Sequence, residues 1–157
     1  ITLNIPDALK GVKFTPEQIR RFELSLLPEI AEAHALGICE KKFGVKFKLG
    51  AYNSKGFDVM SGDKNIVVEV KQTSAVMGSS KRLQIGSYNS KKNLCTHILI
   101  LDYYSNRCAI IEHDDFFYKT HHYNSNSAWR WDSEYNMKGS NRCAENTQWF
   151  LNNEIKL

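Results

Sequence analysis

The fold class this sequence predicts is α/β, with a mixed central sheet flanked by helices, and three stretches predict it. From Thr15 to about Gly37, the apolar residues Ile19, Phe22, Leu26, Ile30 and Ala33 recur at helical spacing, giving an amphipathic helix one buried stripe. Phe57 to Met60 and Ile66 to Lys71 are short apolar or β-branched runs on either side of Ser61-Gly62-Asp63-Lys64-Asn65, the composition of a β-hairpin. Thr96-His-Ile-Leu-Ile-Leu-Asp102 is apolar at nearly every position, as a strand covered on both faces must be.

Composition bounds the possibilities. A chain of 157 residues suits one domain with a real core. Its 42% hydrophobic and 24% charged content is ordinary for a globular protein. Twenty-one basic against 17 acidic residues leave a net charge of +4, compatible with a polyanionic partner. No apolar run is long enough to span a membrane, and no signal peptide is visible, so a cytoplasmic protein is expected. Cys39, Cys95, Cys108 and Cys143 are widely spaced with no zinc-ligand pattern, and read as reduced thiols.

In chain order, residues 1–14 form an extended lead-in broken by Pro6 and Gly11. Thr15 caps the first helix with Pro16 at its first position, and Pro28 kinks or restarts it. On that helix Glu23 falls within the apolar stripe, whereas Glu29 and Glu32 point more outward. Gly44 to Gly50 alternates and forms the first strand, with Lys46 and Lys48 on its polar face. The hairpin supplies strands two and three. Ser79 or Ser80 caps a second helix reaching about Lys92, which carries Lys81, Arg82, Gln84, Tyr88 and Lys91; its bases suit phosphate neutralisation. Thr96 to Asp102 and Arg107 to Glu112 are further strands, and Asp114-Asp115 caps a short helix over Phe116-Phe117-Tyr118. The remainder, rich in Trp, Tyr, His and Arg, reads as a loop-rich cap closed by a helix or strand near Trp149. The expectation is a single domain over 1–157, with a core of about 15–113 and a cap of about 114–157.

The hairpin carries the chemistry. Alternation puts Val67, Glu69 and Lys71 on one face, and either register of the turn makes Asp58 a direct or diagonal neighbour of Glu69. Close carboxylates repel unless a cation lies between them. With no Cys or His in the hairpin, a hard oxygen-seeking ion such as Mg²⁺ fits best.

At these residues the chain resembles the PD-(D/E)xK nuclease superfamily, which includes restriction endonucleases. Asp58 matches the family's aspartate and Glu69-Val70-Lys71 its (D/E)-x-K element; Phe57 stands where a proline often precedes the aspartate. The order helix, three strands, helix, strand is similar to the family's restriction endonuclease-like α-β-β-β-α-β core. The resemblance implies a metal-dependent endonuclease in which Asp58, Glu69 and the Val70 carbonyl hold one or two Mg²⁺ ions, with Mn²⁺ able to substitute. Lys71 would orient the attacking water, and Glu23 resembles the acid that the family's first helix often adds. Gln84-x-x-x-Tyr88 resembles an element of some helicase-linked members. Together with Lys46, Lys81, Arg82 and Lys91, it forms the expected nucleic-acid surface.

The expected substrate is duplex DNA, cut by a homodimer, because a two-fold dimer doubles a small reading surface. Other readings are a toxin domain cleaving DNA or tRNA, which would be secreted or delivered, and a repair or junction nuclease. A non-catalytic nucleic-acid-binding module is disfavoured by the intact Asp58, Glu69 and Lys71.

Overall fold

Thr15 and Gln18 form a reciprocal cap. The Gln18 N–H donates to Thr15 Oγ1 at 3.2 Å and the Thr15 N–H to Gln18 Oε1 at 2.9 Å, satisfying two otherwise orphaned donors. Helix α1 (Pro16–Ser25) starts there. It ends short of Pro28, whose ring collides with the carbonyl four residues back. A second helix, α2 (Leu27–Phe43), restarts at once and stops at Gly44, whose φ of 69° is the left-handed C-cap conformation glycine adopts freely. The computed structural model describes residues 11, 13–51, 57–73, 75–77, 81–86, 94–120, 122–123, 128–136 and 141–156.

The break re-phases the helical stripe. Ile19 and Leu26 are about half exposed, and the buried face of α2 is Ala31, Ala35, Ile38 and Cys39. The single stripe expected from Ile19 to Ala33 is therefore corrected: Pro28 divides it between two helices with different buried faces.

The strands are β1 (Phe47–Leu49), β2 (Val59–Ser61), β3 (Val67–Gln72), β4 (Ala75–Met77), β5 (Arg82–Ile85), β6 (His97–Asp102) and β7 (Arg107–Glu112). Then come α3 (His113–Lys119), β8 (His122–Tyr123), β9 (Ala128–Asp132), α4 (Arg142–Asn152) and β10 (Glu154–Ile155). The main sheet has the order β1-β2-β3-β6-β7-β10. Only β3 and β6 run parallel; the other pairs are antiparallel. The expected mixed central sheet flanked by helices is thus what the chain forms. One face packs Val59, Val68, Val70, Leu99, Leu101, Cys108 and Ile110 under α2. The other packs Ile98, Ile100, Ala109 and Ile111 against Phe116 of α3, Phe150 of α4 and a second sheet. All four cysteines are buried and stay as thiols, outside any disulfide.

That second sheet, ordered β4-β5-β9-β8, corrects two expectations. The helix expected from Ser79 or Ser80 to Lys92 is a strand at Arg82–Ile85, while residues 78–80 and 87–93 lie outside the described set. Leu83 and Ile85 are fully buried and pair with Trp131 and Trp129 across β9. A two-residue period decided this segment, in a run too short to stand out from the sequence. The C-terminal part is not a loop-rich cap: Trp129 and Trp131 are wholly buried core, α4 backs β9, and β10 completes the main sheet beside β7. Hydrogen bonds from Asn146 Nδ2 to the Arg130 carbonyl (2.9 Å) and from the Asp132 N–H to Thr147 Oγ1 (2.9 Å) fasten α4 to β9.

The two layers are also joined by a buried polar network. Asp102, 1% exposed, accepts from the N–H groups of Tyr104 (2.9 Å) and Ser105 (3.2 Å) and from the Tyr135 hydroxyl (2.8 Å). Tyr135 in turn accepts from Trp131 Nε1 at 3.1 Å, and the Arg107 guanidinium lies 4.2 Å from its ring centre, a cation–π distance. No described helix is long and apolar enough to cross a membrane.

Candidate metal centre

The β2–β3 turn fixes the register on which the site depends. Asp63 accepts hydrogen bonds from Ser61 Oγ, the Asn65 N–H and Asn65 Nδ2, and Ser61 Oγ accepts from the Ile66 N–H. These side-chain-to-backbone bonds are why Ser, Asp and Asn belong in such a turn. They also hold the Asp63 carboxyl below its usual range. The pairs that follow are Met60 with Val67 and Val59 with Val68, and Asp58, the residue before Val59, comes beside Glu69, close enough for the charge of Glu69 to act on it.

Asp58 is held on both sides. Its N–H donates to the Val68 carbonyl (3.0 Å) and its carbonyl accepts from the Gly50 N–H (2.7 Å). One residue further on, β3 has lost its β2 partner, and Asp58 Oδ2 accepts the Val70 N–H at 2.7 Å. The side chain thus replaces a ladder carbonyl. Lys71 Nζ lies 2.6 Å from Glu69 Oε1, with both side chains largely covered. Such a charge-assisted bond is among the stronger kinds.

Electrostatics mark the cluster. Burial, then the charge of Glu69, pushes the Asp58 carboxyl up to about 6, against the opposing pull of the Val70 N–H and Lys71. Glu32 of α2 is pushed up to about 7, first by burial and then by Asp58, Glu29 and Glu69, with Lys71 opposing. Two carboxyls raised by desolvation and by neighbouring acids mark a site short of positive charge.

The donors present fit a hard divalent cation. They are all oxygen, and Mg²⁺ usually takes one or two carboxylates and completes its shell with water and substrate phosphate. Among the described residues no three Cys, His, Asp or Glu side chains form a ready-made cage, so the Asp58–Glu69 pair is the donor set in place.

The other expected residues are distributed differently. Glu23 lies in the backbone of α1, but its side chain is outside the described set, as are Tyr88 and Lys91 altogether. Lys46 sits at the turn end of the hairpin, where its carbonyl accepts the Gly62 N–H (3.1 Å) and its ammonium pairs with Glu40 (3.3 Å); this is the end away from Asp58. Lys81 is paired with Glu134 at 2.5 Å. Arg82 lies at the far end of the β4–β5 hairpin, opposite Met77, whereas Gln84 lies opposite Ala75, close to the point where β3 ends. Gln84 Oε1 accepts from Arg130 Nε at 3.3 Å. The structure therefore unites Asp58, Glu69 and Lys71 and separates Lys46 from them. Among the described residues Glu32 is a helix acid coupled to Asp58 and Glu69, although the sequence had it pointing more outward. Its signal was Pro28, after which Ala31, Ala35 and Cys39 set a new stripe that Glu32 borders.

No protein-family model matches the chain, and no curated protein matches it by sequence. The fold does have a counterpart among solved structures. A bacterial homing endonuclease, I-Ssp6803I, matches with a TM-score of 0.50 at 12% identity, over 73% of this chain and 75% of that one. At that identity the likeness lies in the fold, a nuclease-like α/β arrangement.

Proposed function

We propose that the chain is a Mg²⁺-dependent endonuclease of the PD-(D/E)xK type, hydrolysing phosphodiester bonds of duplex DNA as a homodimer. The observation that carries this reading is Asp58 beside Glu69 on the hairpin, with Lys71 bonded to Glu69 and the Asp58 carboxyl raised to about 6 by burial and by the charge of Glu69. The fold shared with an endonuclease supports it.

Asp58, Glu69 and the Val70 carbonyl would hold the cation. Glu23 and Glu32 are the helix acids available to complete its shell, and the electrostatic coupling of Glu32 to Asp58 and Glu69 favours Glu32. Bound there, the ion supplies Lewis-acid polarisation of the scissile phosphate and a more acidic water. Lys71 orients the attacking water and offsets negative charge as it develops on the phosphate. Its bond to Glu69 keeps the ammonium beside the metal-binding carboxylates before substrate arrives. The exposed Leu24 and Leu26 of the α1 region and Phe14 before it offer apolar area to a second copy, and Gln84 with Lys81 and Arg82 offers polar contacts to the nucleic acid.

The test pairs Asp58→Asn with wild type on supercoiled plasmid, single-stranded DNA and tRNA, each with Mg²⁺, Mn²⁺ or EDTA. Asparagine keeps an oxygen for the Val70 N–H, which alanine would leave unpaired at a cost of about 1–3 kcal/mol; folding is thereby preserved. Expected is metal-dependent nicking or cutting of the plasmid, absent with EDTA and absent in the variant. Mg²⁺-dependent cutting by Asp58→Asn near the wild-type rate would remove Asp58 from the centre. Cutting of tRNA alone would keep the centre and reassign the substrate.

A further inference from the structure

A groove runs along the other side of α2 from the carboxylate cluster, between that helix and the edge strand β10. Its volume is about 440 Å³, and a second hollow of about 400 Å³ continues it along the helix through Ile30 and Ala33. The two share His34 and Gly37. Gly37, Ile38 and Ile155 make an apolar floor, while Lys41, Lys42 and Lys156 stand around it. At the shared point His34 Nδ1 lies 3.4 Å from the Tyr103 hydroxyl, and the two rings stack at 6.2 Å.

The charge of this groove is uncompensated among the described residues. Lys41, Lys42 and Lys156 are exposed, and none of them is in an ion pair with a described residue. The nearby acids are already engaged. Glu40 accepts from Lys46 (3.3 Å) and the Phe47 N–H (3.1 Å), which holds its carboxyl below its usual range, and Glu154 pairs with Arg107 at 3.3 Å. Three such ammonium groups over an apolar floor complement a phosphodiester backbone whose sugars lie inward. Glycine at the middle of α2 leaves the floor open, since a Cβ there would meet no atom within 4 Å.

We propose that this groove is a second nucleic-acid contact, which grips the phosphate backbone of the bound DNA away from the cut site through Lys41, Lys42 and Lys156. It rests on the nuclease reading for its ligand. Because α2 stands between groove and carboxylates, the phosphates held here are not the one that is cut; the groove secures and orients the substrate.

The test measures binding of a labelled duplex to the wild-type protein in Ca²⁺-free EDTA buffer across a salt series. The triple variant Lys41→Ala/Lys42→Ala/Lys156→Ala is compared with Gly37→Leu, which fills the floor without changing charge. Every phosphate that a lysine no longer neutralises lowers the slope of log affinity against log salt by about 0.9. The triple variant should therefore lose about 2 to 3 from the slope, and Gly37→Leu should bind about tenfold or more weakly. Gly37→Leu replaces a mid-helix glycine with a better helix former, so it should melt no lower than wild type; weak binding then reports the groove and not misfolding. Unchanged slope and affinity in both variants overturn the groove while leaving the cutting reaction intact. A wild-type protein that neither binds nor cuts any nucleic acid overturns both.

Discussion

At the scale of single residues, Asp58 and Glu32 make opposite demands on stability and function. Their carboxyls titrate at about 6 and about 7 in the folded chain, against ordinary values of 3.8 and 4.5. An acid raised on folding holds its proton more tightly in the native state, so the native state gains as pH falls through these values. The gain is complete once pH drops below the unfolded values. Without divalent cations, the protein should therefore melt higher near pH 5 than near pH 8. The double variant Asp58→Asn/Glu32→Gln should flatten that difference in EDTA thermal melts; an equal difference in variant and wild type would show that the two carboxyls are not its source. A bound cation reverses the preference, because it stabilises the ionised pair, and Mg²⁺ should raise the melting temperature more near pH 8. On cleavage, Glu32→Gln should cost about tenfold or more, the usual scale for a supporting ligand. Glu23→Gln, assayed alongside, decides between the two helix acids: the larger loss marks the one in the shell.

Among elements, α2 does most to set the site's geometry. Ala31 and Ala35 are fully buried, and side chains this small let the helix approach the sheet over Val68 and Val70. Ala35→Leu should cost about 1–3 kcal/mol by overpacking and slow cleavage by moving Glu32 relative to Asp58. Ile19→Ala on the half-exposed face of α1 should stay within about 0.5 kcal/mol. Urea unfolding of both variants checks the pair, and the reverse order would restore the single stripe read from the sequence. That comparison also shows what the sequence could reveal. The β2–β3 hairpin was legible because its turn residues and alternating strands are local features, and local features fixed which side chains face each other. The helix break was half legible: Pro28 announced it, but the new phase of α2 depends on the sheet beneath it. The strand at Arg82–Ile85 was hidden because Gln84 and Tyr88 fit a helical spacing, while the partners that decide for a strand, Trp129 and Trp131, lie far along the chain. Those tryptophans read from composition as part of a loop-rich cap, and only packing makes them core.

In the whole molecule, the Asp102 network joins the main sheet to the second one. Tyr135→Phe removes the donor to Asp102 Oδ2 and the acceptor of Trp131 Nε1, leaving buried polar groups unpaired at a cost of about 1–3 kcal/mol. Calorimetry should show a lower melting temperature for the variant while metal-dependent cutting persists at low temperature. Loss of cutting in a variant that is still folded would instead tie this network to the carboxylate centre. The order in which strands join the main sheet has a consequence for the chain as it is made. The β2–β3 hairpin that carries Asp58 and Glu69 can close soon after it leaves the ribosome. The parallel pairing of β3 with β6 must wait for the whole intervening crossover, and the strand that covers the free edge of β7 is β10, made only after α3, β8, β9 and α4. During synthesis the carboxylate pair is therefore assembled long before the sheet around it, and β7 stands meanwhile as an open template for any other extended chain nearby.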